Sequence, residues 1–498
     1  MFPPPDRRSF LASSAVTLAG LRPVSAAEAA LDPAVVRLDA GIEPFVRLLE
    51  ETPRDRVVEE VADRIKKGAG YRDVLAALFL AGVRNVPPRP TVGFKFHAVL
   101  VVNSAHLAAL AGPDTERWLP ILWAVDNFKG SQATAQKEGG WRMKPADEGK
   151  VPTARKAKAA FAAAMDNWDE GAADVAAAGL ARSFGANELF DLFARYGCRD
   201  FRDIGHKAIY VANAFRTLQT IGWHHAEPVL RSLAYALLQH EGDNPAKRDA
   251  PADRPGRLNA ERVTLTRKDW LDGQPSPEDA TDLLARLRTG TDAEVADRVV
   301  ELLCHEVAPQ TVWDALFLAA GELLMRQPGI VALHSITTLN ALRYAYDTVA
   351  DDSLRRLLLL QAASFVPLFR DAMTARGKVG DACIDRLGVE VPNDPVPVKF
   401  EDIFPTLSAD KLKAARMAAD YLRQNPAGAT QMMDTGRRLV FRKGTDSHDY
   451  KFSSAVLEDY RHLSPGVRDR FLAASLCWLK GSAGPDAPIV KRVRTAVG

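Results

Sequence analysis

Four histidines occupy matching places in two halves of the sequence, beginning with His97 and His334. His97 lies in an apolar segment, FKFHAVLVVNSAHLAALA, and His334 lies in a second one, VALHSITTLNALRYAY. The preceding text repeats as well, since Arg-Val-Val-Glu begins at Arg56 and at Arg298, and an Ala-Leu-Phe-Leu-Ala motif follows it in both halves. A repeat of this extent indicates two related halves.

A second pair, His206 and His448, follows the first pair at nearly equal spacing in the two halves. Each is followed by an apolar segment with helical periodicity and then by a break. Two such halves packed face to face about a pseudo-twofold axis would bring four imidazoles together. Neutral imidazoles suit iron, zinc, copper and nickel, so the set predicts a transition-metal site. The alternative for each histidine taken alone is a hydrogen-bonded core residue.

Lys451 is the residue that would complete such a site. It follows His448 by three positions, so the two side chains share one face of a helix, and the first half has Ile209 at the corresponding place. The ordinary interpretation is a lysine whose stem packs on the surface while its amine stays in water. A desolvated lysine, however, has a lowered pKa. A neutral amine takes up carbon dioxide to form a carbamate, which is an anionic oxygen ligand.

The other histidines carry weaker signals. His106 has no counterpart in the second half, where Arg343 stands at the equivalent place, and we interpret it as a packing residue or a hydrogen-bond partner of the site. His225, next to His224, lies at a predicted helix break and is a weaker candidate for the same supporting role. Polar neighbours place the remaining three at the surface: His240, His305 and His462.

The spacing of apolar residues predicts an all-α fold, because helical periodicity dominates and no alternating run is long enough for a sheet. The repeat predicts two pseudo-symmetric helical halves, residues 32–240 and 278–498, packed face to face around a central site. Between them, 241–277 is rich in Pro, Asp, Arg and Gly and is predicted to be a polar linker or insertion. We also expect a surface loop at 129–156 and a proline-rich insertion at 389–405.

Composition narrows the range of partners. The chain of 498 residues is 26% charged and has a formal net charge of +2, a balance that gives no reason to expect nucleic acid or an anionic membrane as partner. Its 4 cysteines are scattered without a CxxC motif, which is typical of small core residues rather than of a disulfide or zinc framework. No segment reaches about 18 uninterrupted apolar residues, so we expect no transmembrane helix.

The N-terminus has the pattern of an export signal. Arg7 and Arg8 precede a mildly apolar run, and small residues follow it up to Ala26. A basic start, an apolar middle and an A-x-A-like end are typical of a signal peptide, here 1–26. The Arg-Arg-x-Phe-Leu core resembles the twin-arginine signal, which predicts export to the periplasm. An ordinary secretory signal or an untargeted basic tail is the alternative.

In the segments around all four histidines the chain resembles the questin oxidase-like family. Three of the matching segments are weak when taken alone: an early histidine before a small-residue turn, a central histidine helix that leads to Leu-Ala, and a histidine helix with a following threonine. They lie at His97, His206 and His334. The most specific match is the C-terminal His-x-x-Lys motif of His448 and Lys451, which is followed by Ala-Ala.

The resemblance implies ferrous iron bound by these four histidines and by a carboxylated lysine, here Lys451. It also implies an enzyme that uses dioxygen to oxidise or open the ring of a small aromatic, quinone-like molecule. The chain departs from the family by its export signal and its long insertions, which leave the substrate open.

Three functions therefore remain compatible with the sequence. The first is the non-haem iron oxygenase. The second is a zinc-type hydrolase with a metal-bound hydroxide, in which a carbamylated lysine is equally suitable. The third is a non-catalytic helical-repeat binding protein that buries neutral histidines without a metal.

Overall fold

Helices form nearly all of the regular structure. The computed structural model describes residues 32–88, 96–388 and 397–498. Within these ranges the one β contact is an isolated bridge, so the predicted all-α class is confirmed. No helix among the described residues is long and apolar enough to span a bilayer. The predicted signal peptide, 1–26, lies outside the described residues.

The helices are numbered along the chain. Those of the first half are α1 (Glu43–Glu51), α2 (Arg54–Lys66), α3 (Tyr71–Asn85), α4 (His97–Ala111), α5 (Trp118–Lys137), α6 (Ala154–Asp166), α7 (Glu170–Ser183), α8 (Ala186–Gly197), α9 (His206–Ile221) and α10 (Ala226–Leu237). Those that follow are α11 (Arg254–Arg262), α12 (Pro277–Thr289), α13 (Asp292–Cys304), α14 (Pro309–Arg326), α15 (Ile330–Thr348), α16 (Asp352–Thr374), α17 (Phe400–Ala409), α18 (Lys411–Gln424), α19 (Ala429–Lys443), α20 (Ser447–His462), α21 (Pro465–Ser475) and α22 (Pro488–Val497).

Four helices, α4, α9, α15 and α20, form the centre of the fold. Helix α4 packs against α9 and α20, and α15 packs against the same two, so the four form a closed ring. Apolar residues occur around most of the circumference of these helices rather than on one stripe, which favours burial on all sides. Three of the helices accordingly contain long unbroken runs of buried residues: 97–106, 206–215 and 331–342.

The helices that flank this ring follow the sequence repeat. Helices α3 and α5 pack on α4, and α14 and α16 pack on α15. The repeated Ala-Leu-Phe-Leu-Ala motif lies at 77–81 in α3 and at 315–319 in α14, and it is buried in both. The pseudo-twofold relation itself stays a prediction, which a superposition of 54–240 on 296–480 would test.

The surface loop predicted over 129–156 is wrong for its first part, because α5 continues to Lys137. The Lys129 side chain is buried, and its Nζ donates hydrogen bonds to the carbonyl oxygens of Leu49 and Glu50, at 2.9 and 2.8 Å. These carbonyls belong to the last turn of α1, where a cation is favourable. A tertiary contact therefore keeps this polar segment helical.

The predicted polar linker, 241–277, is not free: its first part bonds to the first half, as in the ion pair of Asp253 with Arg202, and its later part packs on the second half. It contains α11, whose buried Asn259 donates hydrogen bonds from Nδ2 to the side chains of Gln361 and Ser364 in α16, at 2.8 and 2.9 Å. Trp270 is buried, and its Nε1 donates to Asp352 at 2.9 Å. The segment is an insertion that covers α16.

The predicted proline-rich insertion, 389–405, is also partly wrong. Residues 389–396 lie outside the described part of the chain. Helix α17 begins at Phe400 and includes Pro405 in its interior, so the last residues of the predicted insertion are helical.

A strained turn precedes α9 and packs against α15. Asp203, Ile204 and Gly205 have successive φ angles of 55°, 46° and 81°, in the left-handed region that residues with a side chain rarely adopt. The turn directs the Asp203 carbonyl towards the ring of His206. A Cβ at position 205 would overlap the Thr338 side chain of α15. Both the backbone angle and this close approach therefore require glycine.

We expect Gly205→Ala to lower the free energy of unfolding by about 2–4 kcal/mol, because it adds left-handed strain and an overlap with α15. Gly466→Ala is the matched control, since its added Cβ would meet no heavy atom within 4 Å and alanine is favoured in helices by up to about 1 kcal/mol. Urea unfolding of both variants checks the expectation. Equal stability of the two variants would contradict it.

Candidate metal centre

The four repeated histidines meet at the axis of the central helices. His97 and His206 are the first residues of α4 and α9, His448 is the second residue of α20, and His334 is the fifth residue of α15. All four are at most 5% exposed. Because each histidine lies near the N-terminus of its helix, the four helices run in the same direction away from this point. The positive ends of four helix dipoles therefore converge on the histidines.

The imidazoles form one compact cluster. The Nε2 atom of His206 lies 3.0 Å from the Nε2 atoms of both His97 and His334. In the order His97, His206, His334, His448 and back to His97, neighbouring ring centroids are 5.0, 4.5, 5.2 and 4.5 Å apart. Ligand nitrogens of His97, His334 and His448 all lie within 4.8 Å of one another. The structure thus brings together every histidine of the repeat-related set.

Backbone carbonyls determine which nitrogen of two rings carries the proton. The Nδ1 atom of His206 lies 2.6 Å from the carbonyl oxygen of Asp203, and the Nδ1 atom of His334 lies 2.7 Å from that of Ile330. A carbonyl only accepts, so both Nδ1 atoms donate and both Nε2 atoms of the neutral rings are bare lone pairs. Two bare nitrogens 3.0 Å apart cannot hydrogen-bond to each other and repel. A cation between them would remove the repulsion.

His448 is held from the side by a carboxylate. Its Nδ1 lies 3.3 Å from Oδ1 of Asp446, and the same oxygen accepts the backbone N–H of His448 at 2.7 Å. Asp446 is the N-cap of α20 and forms a capping box with Asp449. The residue that begins the helix therefore also orients the imidazole.

All four imidazoles are held neutral. Burial lowers the pKa of His97, His206 and His334 well below its ordinary value, and it also lowers the pKa of His448. The nearby charge of Lys451 acts in the same direction on each of them. Neutral imidazole is the form that binds a metal ion.

Lys451 lies beside the cluster and is 3% exposed. Burial lowers the pKa of its amine to about 7, against a small opposing effect of Asp446. Among the residues that the structure describes, none makes a hydrogen bond to its Nζ. A buried amine of this kind is largely neutral above pH 7, which is the form that reacts with carbon dioxide. The alternative interpretation of Lys451 as a surface lysine with its amine in water is therefore excluded.

His106 does not support the cluster, which corrects that prediction. It follows His97 by nine residues and so lies about 14 Å farther along α4. Its Nδ1 shares a hydrogen bond with the Tyr71 hydroxyl at 3.0 Å, and its Nε2 lies 3.3 Å from the Thr220 hydroxyl. Both ring nitrogens are engaged by residues outside the site.

His225 is also remote from the cluster, because it follows the C-terminus of α9 while His206 begins that helix. The helix between the two histidines, α9, is more than about 20 Å long. His225 is buried next to His224, with ring centroids 3.9 Å apart, and burial lowers its pKa to about 4. Of the predicted surface histidines, His305 is exposed, whereas His240 and His462 are half-buried.

A polar layer that sequence reasoning missed lies beyond the histidines. Asn103 and Asn340 follow His97 and His334 by six residues each, and both are buried. The equal spacing in the two halves was a signal that could have identified them. Asn213 of α9 completes the layer, and its amide donates to the carbonyl oxygen of Leu100 at 3.0 Å.

A second group of metal-ligand types lies elsewhere and is already paired. Glu322, Cys383 and Asp385 have ligand atoms within 4.8 Å of one another. The Glu322 carboxylate, however, binds Arg288 at 2.6 Å and Arg326 at 2.5 Å, and Asp385 binds Arg288 at 3.0 Å. Arginines already neutralise these carboxylates, so we interpret the group as an ion-pair network.

No family model, curated protein or solved structure matches this chain. The resemblance to the questin oxidase-like family therefore stays a prediction, and the function is argued from the site alone.

We expect the stability of the metal-free protein to fall steeply as the pH drops below about 6.5. In that range the unfolded histidines take up protons while the folded ones, whose pKa is lowered, do not, so each contributes a loss of up to about 1.4 kcal/mol per pH unit. Urea unfolding between about pH 7.5 and pH 5.5 measures this slope. His334→Gln should reduce this slope by the contribution of one histidine, and His305→Gln, at an exposed position, should leave the slope unchanged. Equal slopes in the two variants would count against a buried neutral His334.

Proposed function

We propose that this chain is an exported non-haem iron-dependent oxygenase that oxidises or opens the ring of a small aromatic, quinone-like molecule with dioxygen. In this proposal His97, His206, His334 and His448 bind the iron, and Lys451 binds it as a carbamate. The observation that carries the proposal is the pair of buried, bare Nε2 atoms of His206 and His334, 3.0 Å apart. A folded core tolerates such a contact when a cation joins the two lone pairs.

Several nitrogen–nitrogen distances are short enough for one ion. The Nε2 atom of His206 is 3.0 Å from those of His97 and His334, and ligand nitrogens of His97, His334 and His448 lie within 4.8 Å of one another. Metal–nitrogen bonds are about 2.1 Å long, so these histidines could bind one ion. Imidazole ligands suit ferrous iron as well as zinc.

An anionic ligand is required for electrostatic reasons. Four neutral imidazoles add no negative charge, and four converging helix N-termini add positive potential that disfavours a cation. Lys451, buried and with a pKa of about 7, meets the requirement once its amine forms a bond to carbon dioxide and releases a proton. The carbamate oxygens would then place a negative ligand next to the four imidazoles.

The chain's own residues prepare the site for this chemistry. Bound ferrous iron would supply the electrons with which dioxygen is activated. The carbonyls of Asp203 and Ile330 fix the orientation of two rings, and the Asp446 carboxylate fixes that of a third. Burial of all four histidines excludes bulk water, which protects reactive species from side reactions.

A zinc-type hydrolase is the second candidate. It is favoured by the three histidines whose ligand nitrogens lie within 4.8 Å of one another, His97, His334 and His448, because catalytic zinc commonly uses three protein ligands and one open position. Lys451 would fit this site as well. The identity of the metal that the purified protein retains distinguishes the two candidate functions.

The proposed function is tested by metal analysis and oxygen uptake on purified protein. We expect about one iron per chain, lost in His334→Ala and retained in His106→Ala, whose ring lies outside the site. Reduced protein should consume dioxygen in the presence of a hydroquinone. Zinc without oxygen uptake would support the hydrolase, and protein without any metal would leave the non-catalytic binding protein.

Export by the twin-arginine route is part of the proposal, because the resemblance of the N-terminus implies a carrier of folded proteins, which suits a buried metal centre. Replacement of Arg7 and Arg8 by lysine should block export. Unimpaired export of that variant would indicate the general secretory route instead.

Lys451 has a specific signature if it is a carbamate. Lys451→Ala should weaken iron binding about tenfold or more, and acetate should partly restore it by supplying a carboxylate oxygen. Lys451→Arg should fail equally, because guanidinium stays protonated and forms no carbamate. Buffer depleted of carbon dioxide should lower activity reversibly. Full iron content and turnover in Lys451→Arg would remove the carbamate from the site.

A further inference from the structure

A narrow cavity lies along the axis of the four central helices, with Lys451 in its lining. Each helix contributes side chains that follow its histidine by three to ten residues, which confirms that the four run in parallel. Lys451 lines the inner end, and Asn103, Asn213 and Asn340 line the middle. The cavity has a volume of about 10 Å³, which is roughly the space that one water molecule needs.

The outer end of this cavity is closed by an ion pair. Arg216 of α9 donates hydrogen bonds from one nitrogen to both carboxylate oxygens of Glu458 in α20, at 3.1 and 3.0 Å. Asn340 also donates to Glu458, at 2.8 Å. The side chain of Arg216 is 11% exposed and that of Glu458 is 30% exposed. The carboxylate is therefore the more accessible partner, and the guanidinium lies behind it.

Arg216 is held in place independently of Glu458. Its guanidinium stacks over the ring of Tyr344 at 4.0 Å from the centroid, and it donates a hydrogen bond to Oδ1 of Asn340 at 3.4 Å. A guanidinium fixed in this way keeps its geometry when the carboxylate leaves, and it is suited to bind another carboxylate or phenolate.

A surface groove between α4 and α20 leads to this ion pair. It shares Leu107, Ser454 and Glu458 with the axial cavity and has a volume of about 150 Å³. Two further arginines line it, Arg437 and the exposed Arg461. Arg437 is paired with Asp434 at 2.7 Å, so Arg461 and the Arg216 behind Glu458 are the groups that favour an incoming anion at this approach.

We propose that Arg216 and this groove form an entry site for a small organic anion, whose carboxylate or phenolate replaces Glu458 on Arg216 at the mouth of the axial cavity. Glu458 is then an internal stand-in for the ligand and keeps the cavity closed when no ligand is bound. Binding of the anion at Arg216 requires no metal. The inference therefore rests on the proposed function only for the reaction that the bound anion would undergo.

The test is calorimetric binding of benzoate and of benzamide, its uncharged analogue, to the full-length mature protein in metal-free and metal-loaded forms. A charge-assisted contact predicts that benzoate binds about tenfold or more tightly than benzamide. Glu458→Gln should strengthen benzoate binding about fivefold or more, because the competing carboxylate is gone. Arg216→Gln should abolish the difference between the two probes. 4-Nitrophenolate in place of benzoate shows whether phenolates use the same site.

A matched control uses the exposed ion pair of Arg182 and Glu227, 2.7 Å apart and remote from the groove. Glu227→Gln should leave benzoate binding unchanged. Equal binding of benzoate and benzamide, an unchanged affinity in Glu458→Gln, or wild-type binding in Arg216→Gln would each overturn the inference. If Arg216→Gln does not fold, the Glu458→Gln result still decides. If the protein binds benzoate but takes up neither iron nor any other metal, the proposed function is overturned and this inference stands.

A second experiment tests whether the mouth leads inward to Lys451. It measures the rate at which cyanate modifies Lys451 in metal-free protein, by peptide mass spectrometry. Glu458→Gln should raise the rate of Lys451 modification about fivefold or more by opening the mouth, and benzoate should slow it again. Glu227→Gln should react as the wild type does. A rate that neither Glu458→Gln nor benzoate changes would show that the entry site does not lead to Lys451, and would overturn the proposed route.

Discussion

The contact on which the rest of the site depends is the approach of bare imidazole nitrogens in a buried core. His206 and His334 each donate the Nδ1 proton to a backbone carbonyl, so their Nε2 lone pairs face each other at 3.0 Å. If either ring turned over, its ring N–H would lose the carbonyl oxygen that accepts it. Protonation would relieve the repulsion, but burial lowers the pKa of both rings. A bound metal cation would satisfy these constraints together.

The parallel arrangement of the four central helices both builds this site and limits what it can bind. Because all four begin at the histidines, they bring their positive dipole ends to one point. A cation there needs a negative ligand, and Lys451 places a buried amine beside the cluster. The strained turn at 203–205 has the same origin, since α9 must begin at the level where α15 presents His334 and the backbone reverses within three residues to achieve it.

The same helix direction explains the order of layers along the axis. Histidines come first, asparagines follow after nearly two turns, and the Arg216–Glu458 pair closes the end. Each layer uses a different kind of interaction: lone pairs for a metal, amides for neutral polar groups, and a guanidinium for an anion. An incoming anion would therefore meet a guanidinium at the mouth of the cavity before it meets the asparagines.

Local pattern in the sequence determined much of this protein. Helical periodicity is a property of neighbouring residues, so the all-α class and the repeat-related positions of His97, His206, His334 and His448 could be predicted directly. Prediction failed where a distant partner decides the outcome: Lys129 stays in a helix because it caps another one, and His106 binds a tyrosine rather than the site.

Only the tertiary structure decided which nitrogen of each ring is bare, that Lys451 is buried, and that Arg216 faces Glu458, 242 residues away. Periodicity predicts which residues are buried together on a helix, but the direction of a lone pair and the choice of an ion-pair partner depend on how separate helices pack. Those relations between distant segments have no signature in local sequence.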